Sequence, residues 1–97
     1  MKTTLVVTAT PNPEESSSVQ EYLQGVFPLL MSAGGTPVKR LSVAQVVRGE
    51  PKGMVLVMDF PDREVVEDLF SSAEYAALVP ARDRGFTSMD ILLAGDM

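Results

Sequence analysis

The chain has 97 residues, a net charge of −5 at neutral pH, and neither cysteine nor histidine. This length predicts one domain over residues 1–97 with a thin hydrophobic core, because such a domain buries only about 60–65% of its unfolded surface. The composition excludes disulfides, thiolate metal sites, zinc hydrolysis and histidine-dependent serine or cysteine catalysis, and the negative charge argues against a nucleic-acid partner.

The sequence also predicts no membrane partner. The apolar run Leu5-Val6-Val7 is far too short for the core of a signal peptide. No apolar run approaches the ~20 residues of a membrane-spanning helix. We therefore expect a soluble cytoplasmic protein.

A strand and a long amphipathic helix come first. Residues 3–9 are apolar and rich in β-branched side chains, which predicts strand one. Asn12-Pro13 predicts the start of a helix, and Ser18 offers a second start. Pro28 is expected to kink this helix rather than end it, because the apolar spacing continues beyond it. Gly34-Gly35 then ends the helix.

Two strands and a turn follow. Residues 36–48 are predicted as strand two, with a bend or bulge near Ser42-Val43 where the apolar alternation shifts. Residues 49–53 form a turn, and residues 54–60 form strand three. Four basic residues lie in or beside strand two, and we interpret them as protection of a sheet edge; they are Lys39, Arg40, Arg48 and Lys52.

The last third of the chain predicts two helices and a strand. Asp62 is expected to cap the first of these helices, and a capping box that begins at Ser71 predicts a short helix over about residues 73–79. Residues 83–85 read as a turn, and residues 87–95 form the last strand. The order β-α-β-β-α-β predicts an α+β fold, the ferredoxin-like plait, in which two helices cover one face of a four-stranded antiparallel sheet.

The composition of the two central strands predicts a homodimer. Leu5-Val6-Val7 and the run from Met54 to Met58 are apolar at consecutive positions. Strands of this kind are normally buried on both faces. Because two helices cover only one face, we expect a second copy of the chain to cover the other, which gives a dimeric α/β barrel.

A set of short motifs, spaced in a fixed order over about residues 21–95, carries a family resemblance. The set consists of Tyr22, Pro28, Gly34-Gly35, Arg40, Asp59-Phe60-Pro61, Ser72-Ala73-Glu74-Tyr75 and Arg82. On these motifs the chain resembles the uncharacterised bacterial family called domain of unknown function 1330, in the dimeric α/β-barrel superfamily. The resemblance implies the same fold and dimer, and it implies no agreed activity.

Five side chains are candidate ligand-binding residues, expected near the end of strand three: Arg40, Asp59, Phe60, Tyr75 and Arg82. The two arginines could hold a carboxylate or enolate oxygen, or they could form ion pairs within the chain or the dimer. Asp59 could be a general base with a raised pKa, or it could pair with an arginine or cap the next helix. Tyr75 could donate its phenol to a ligand, or it could bury its ring and bond to a backbone carbonyl.

Two classes of function remain open. In the first, the chain binds a small apolar or anionic molecule in a cleft between sheet and helices. It would do so as a binding protein, or as a cofactor-free enzyme acting like a monooxygenase or isomerase on a small aromatic or keto acid, by analogy with related families. In the second, it is a non-catalytic dimeric scaffold or accessory protein. We expect no metal or cofactor in either class, and a well-formed pocket would favour the first.

Overall fold

The computed structural model describes residues 2–97 and confirms the ferredoxin-like fold. Four strands form one antiparallel sheet, with β1 (Thr3–Pro11) and β3 (Met54–Phe60) at the centre and β2 (Thr36–Ser42) and β4 (Phe86–Ala94) at the edges. Their order is β2-β3-β1-β4. No helix within residues 2–97 has the length and apolar character needed to span a membrane. The elements in chain order are β1 (Thr3–Pro11), a 3-10 turn (Pro13–Glu15), α1 (Ser16–Ser32), β2 (Thr36–Ser42), β3 (Met54–Phe60), α2 (Arg63–Phe70), α3 (Ala73–Ala76), α4 (Val79–Gly85) and β4 (Phe86–Ala94).

The core lies between the sheet and the helices. Leu5 of β1 and Met58 of β3 are fully buried, and they lie opposite each other in the antiparallel pairing. Alternate residues of a strand point to opposite faces, so the neighbouring Val6 and Val57 lie on the face that the helices do not cover. From the helix side, α1 contributes Tyr22, Val26 and Leu30 to the core at a spacing of four residues.

The ends of α1 follow the sequence signals. Asn12 caps the 3-10 turn before α1, with its side chain accepting a hydrogen bond from the Glu14 backbone N–H at 3.0 Å. Pro28 lies inside α1, which continues to Ser32 as predicted. Gly34 adopts a φ of +89°, a conformation that glycine takes without strain, and this allows the chain to turn into β2.

The predicted length of strand two was wrong. β2 ends at Ser42 rather than at residue 48, because Ser42 pairs with Met54 and β3 begins there. Beyond this point no strand within the described part of the chain is available for pairing, and β-branched residues form a strand only when they have a partner. The irregularity in the pairing lies between Pro37 and Lys39, not near Ser42-Val43.

The predicted turn at residues 83–85 was also wrong, because these residues complete helix α4. The single short helix expected over residues 73–79 is divided into α3 and the start of α4. Ser72, rather than Ser71, caps α3 by accepting a hydrogen bond from the Tyr75 backbone N–H at 3.1 Å. Pro80 lies in the first turn of α4, where its missing N–H leaves no helical bond unmade.

Gly85 allows α4 to pack closely against α1. A β-carbon at position 85 would lie 2.8 Å from the Val19 backbone nitrogen and 3.1 Å from the Ser18 carbonyl carbon. Both neighbours are backbone atoms, so they cannot move aside as a side chain would. We expect Gly85→Ala to lower the free energy of unfolding by about 1–3 kcal/mol, as overpacking does. Urea denaturation would measure this change.

Gly95→Ala is the matched control for this substitution. A β-carbon at position 95 would meet nothing within 4 Å, so its free energy of unfolding should match that of the unaltered protein. Equal stability of Gly85→Ala and Gly95→Ala would contradict the close contact between α1 and α4.

Candidate functional site

Three side chains from three helices form a continuous hydrogen-bonded chain. The Arg82 Nη1 donates to the Tyr75 hydroxyl at 3.2 Å. The hydroxyls of Tyr75 and Tyr22 lie 2.9 Å apart and share a hydrogen bond. The α1 helix supplies Tyr22, α3 supplies Tyr75 and α4 supplies Arg82. We call these residues the Tyr-Tyr-Arg network.

The network is neutral at its buried end and charged at its outer end. Both tyrosines are buried, at 4% exposure for Tyr22 and 3% for Tyr75. Burial, together with the bond to Tyr75, raises the pKa of the Tyr22 phenol far above its ordinary value, so this phenol stays protonated at neutral pH. The bond to Tyr75 also raises the pKa of Arg82, which therefore keeps its positive charge.

Aromatic contacts fix the positions of the two phenol rings. The Tyr22 ring meets the Phe86 ring edge to face, with the ring centres 5.6 Å apart. The Tyr75 ring meets Phe70 in the same manner at 4.8 Å. Such contacts stabilise a defined ring orientation, so the hydroxyls are held where Arg82 reaches them.

A cleft of about 510 Å³ lies beside the outer end of the network, between α4 and the edge strand β4. Arg82 and Asp83 form its charged side, and Met89 belongs to its apolar side. The Arg82 Nε donates to the Asp83 carboxylate at 3.1 Å, and the Asp83 side chain is 65% exposed. The full lining is Arg82, Asp83, Phe86, Thr87, Ser88, Met89 and Ile91. We call this space the Arg82 cleft.

Arg82 retains hydrogen-bonding capacity for a ligand. A guanidinium group has five N–H bonds. Within residues 2–97, its bonds to Tyr75 and Asp83 use two of them. The others are sufficient for a carboxylate held by two parallel hydrogen bonds.

The structure brings two of the five predicted site residues together, Tyr75 and Arg82, and places the other three elsewhere. Asp59 lies opposite Thr4 near the start of β1, whereas Arg82 lies one helical turn before Phe86, which pairs with Pro11 at the end of β1. These ends of β1 are about 23 Å apart at roughly 3.3 Å per residue. The expectation of one shared cluster was therefore wrong.

The surroundings of Asp59 do not suit a general base with a raised pKa. Its carboxylate accepts a hydrogen bond from the Thr4 hydroxyl at 2.7 Å and lies 3.5 Å from the Lys2 Nζ. The Thr4 bond in particular, and the Lys2 charge, lower the pKa of Asp59. The capping role belongs to Asp62, which accepts from the Glu64 backbone N–H at 3.3 Å.

The remaining two candidates have packing roles. Phe60 is 1% exposed in the core. The Arg40 guanidinium lies over the Phe27 ring, 4.9 Å from its centre, on the helix-facing side of β2. This is a cation–π contact, which stabilises the edge of the sheet without forming part of the Arg82 cleft.

The sequence interpretation missed the role of Tyr22. Tyr22 appeared there only among the family motifs and not among the candidate site residues, although Tyr22 and Tyr75 are the only two tyrosines in the chain. A buried phenol normally finds a hydrogen-bond partner, so this pair of residues was the available signal.

Comparison with known families identifies the relatives of this chain. The model of the family "Domain of unknown function (DUF1330)" matches residues 4–96. The chain belongs to this family. The match confirms the resemblance seen in the sequence motifs. No curated protein matches the chain.

Solved structures share the fold at low sequence identity. A protein of unknown function from Rhodopseudomonas palustris superposes with a TM-score of 0.82 at 12% identity, covering 99% of this chain and 82% of that one. A dimeric ferredoxin-like protein of unknown function from Bacteroides fragilis gives 0.63 at 12% identity, with coverages of 98% and 96%. A candidate antibiotic biosynthesis monooxygenase from Nitrosomonas europaea gives 0.70 at 13% identity, with coverages of 99% and 90%.

Proposed function

We propose that this protein is a homodimer that binds a small anionic molecule in the Arg82 cleft. The observation that carries the proposal is a charged guanidinium with spare N–H bonds at the wall of a cleft of about 510 Å³. The Tyr75 and Asp83 bonds hold this guanidinium in place before a ligand arrives. A pre-positioned donor loses little conformational entropy when it binds a carboxylate.

The helix-free face of the sheet supports the dimer. Val6 of β1 lies directly between Val57 of β3 and Leu92 of β4, so one apolar row crosses three strands. Leu92 is 53% exposed in the single chain, and an exposed apolar row of this kind is typical of a protein–protein interface. A second copy of the same apolar face complements this row, and the similar Bacteroides fragilis protein is described as dimeric.

Charges at the margins of this face are compatible with burial of its centre. Asp59 is paired with Lys2 near one end of β1, and Asp90 is paired with Lys52 at 2.8 Å towards the other end. Each carboxylate also accepts a hydrogen bond from a β1 threonine. Because both carboxylates have partners within the chain, neither leaves an unpaired charge against a second copy.

Replacing Arg82 by glutamine tests the ligand site. We expect Arg82→Gln to weaken the binding of benzoate and phenylpyruvate by about 10- to 100-fold, because charge-assisted hydrogen bonds are lost. Titration followed by nuclear magnetic resonance would give both dissociation constants. The free energy of unfolding should fall by no more than about 1–2 kcal/mol, because the Tyr75 hydroxyl loses one hydrogen bond but keeps its bond to Tyr22.

Arg84→Gln is the matched control, because it removes the same charge from the same helix. The Arg84 Nε donates to the Ser18 hydroxyl at 3.3 Å, and Arg84 does not line the cleft. If Arg82→Gln and Arg84→Gln weaken ligand binding equally, binding depends on net charge alone, and the proposed site is contradicted. If Arg82→Gln unfolds the protein, Arg82 is a structural residue and the binding role is abandoned. If neither acid binds the unaltered dimer, the scaffold function is favoured.

The second candidate function is catalysis without a cofactor on a small aromatic or keto acid. The Tyr75 hydroxyl favours this candidate, because it accepts a hydrogen bond from Arg82, which lines the cleft, and the Arg82 charge polarises it. The candidate monooxygenase of the same fold adds an analogy. Solvent deuterium exchange at C3 of phenylpyruvate would test isomerase-like chemistry. A rate equal in the unaltered protein, Tyr75→Phe and buffer alone would exclude enolisation of this substrate.

A further inference from the structure

We infer that the anion bound in the Arg82 cleft is a monocarboxylate whose short apolar tail enters a gap between β4 and α1. This inference rests on the proposed function and narrows its ligand class. It depends on a second space next to the cleft. None of the five candidate residues predicted from the sequence lines this space.

A small apolar gap adjoins the cleft inside the core. Its volume is about 30 Å³, and it lies between the sheet and α1. Three residues line both the gap and the Arg82 cleft, and they form a shared wall: Phe86, Met89 and Ile91. A movement of one of these side chains would therefore join the two spaces.

Met89 is the residue of the wall best suited to move. It is only partly buried, whereas Phe86 is 6% exposed and is held by its contact with Tyr22. Methionine is unbranched and has three rotatable bonds, so it adapts to different neighbours at low cost. The gap itself measures only about 30 Å³, so a tail of several carbons needs Met89 to rotate.

The gap is chemically suited to hydrocarbon. Leu5, Val26 and Leu56 are among its lining residues, and no charged side chain of residues 2–97 lines it. A small apolar gap offers a water molecule too few hydrogen-bond partners, so an apolar group gains by filling it. Filling it also restores the van der Waals contacts that the surrounding side chains lack.

The polar groups of the cleft favour one negative charge. Arg82 supplies the free N–H bonds, while the Asp83 carboxylate next to it would repel a second anionic group. The Thr87 and Ser88 hydroxyls both donate to Thr10, at 3.2 and 3.3 Å, so their hydrogens are already used within the chain and Arg82 is left as the anion donor of the cleft. The geometry thus combines a cationic anchor at one end with an apolar gap at the other, which matches a monocarboxylate with an aliphatic or aryl tail.

The test is a titration of the full-length protein with a homologous series, namely acetate, butanoate and hexanoate, followed by nuclear magnetic resonance. The affinity should rise about fourfold per methylene until the gap is filled, as burial of a CH₂ group predicts. Adipate, with its second carboxylate, should bind at least tenfold more weakly than hexanoate. The largest shift changes should occur at Met89 and Ile91.

Two variants separate the tail site from the anion site. Met89→Ala should enlarge the gap and strengthen hexanoate binding relative to acetate. Met31→Ala removes an exposed methionine from α1 and should leave this ratio unchanged. Arg82→Gln should weaken all three acids by a similar factor.

The outcomes distinguish failure of this inference from failure of the proposed function. If the acids bind through Arg82 with affinity independent of tail length, the apolar tail site is wrong and the anion site stands. If hexan-1-ol and hexanoate bind equally well, and equally to Arg82→Gln, the tail site stands and the anion site is wrong. If no member of the series binds, both are overturned.

Discussion

Leu56→Asp should leave the chain unfolded. Leu56 is 6% exposed on the helix-facing side of β3, where it helps to line the interior gap. Loss of a buried leucine costs about 2–5 kcal/mol, and an unpaired buried carboxylate adds several more. A domain of this size has a free energy of unfolding of only about 5–15 kcal/mol. Circular dichroism should therefore show a disordered chain without a cooperative thermal transition.

The control for this substitution keeps the apolar character of the site. Leu56→Met has a similar volume and should cost less than about 1.5 kcal/mol, so its thermal transition should remain cooperative. A folded Leu56→Asp protein with an unchanged melting temperature would show that Leu56 does not lie in the core.

Val57→Asp should give a folded monomer. Val57 neighbours Leu56 in sequence but lies on the helix-free face, opposite Val6. In a symmetric dimer of this face, the substitution places one carboxylate from each chain in the interface. Lys39 of β2 lies opposite position 57 and can pair with this carboxylate, but burial of the charge against an apolar partner surface remains unfavourable. The dimer dissociation constant should rise on the order of 100-fold or more. Analytical ultracentrifugation should report about the mass of one chain, which is 10.5 kDa, and the circular dichroism spectrum should be retained.

Two controls separate loss of the interface from a general effect of charge. Val47→Asp adds the same charge at a valine that is 91% exposed in the loop after β2, so it should leave the mass unchanged. Val57→Thr keeps the side-chain shape without a charge and should weaken the dimer less than aspartate does. If the unaltered protein sediments as a stable monomer at micromolar concentration, the proposed dimer is wrong.

Local sequence patterns were sufficient to predict most elements of this fold. Apolar runs predicted β1 and β3, and the helical spacing of apolar residues that include Tyr22, Val26 and Leu30 predicted α1 through Pro28. These signals are local, because strand alternation and helical periodicity follow from backbone geometry. The motif order likewise identified the family that matches residues 4–96.

The predictions from the sequence were wrong where strand pairing or helix packing decides the structure. Residues 43–48 have strand-forming side chains, yet β2 stops where β3 begins, because a strand needs a partner. Residues 83–85 contain a turn-like glycine, yet they continue α4. Gly85 is used for close contact with α1 rather than for a turn.

By itself, the sequence determined the fold class and the family. It placed Tyr75 and Arg82, which are only seven positions apart, in one larger expected cluster. Only the tertiary structure decided the rest of the site. The register of β1 separates Asp59 from Arg82, and the packing of α1 on α3 brings Tyr22 to Tyr75. The pairs Thr4–Asp59, Pro11–Phe86 and Tyr22–Tyr75 each join residues more than fifty positions apart. Their geometry depends on strand register and helix packing, which local sequence patterns do not encode.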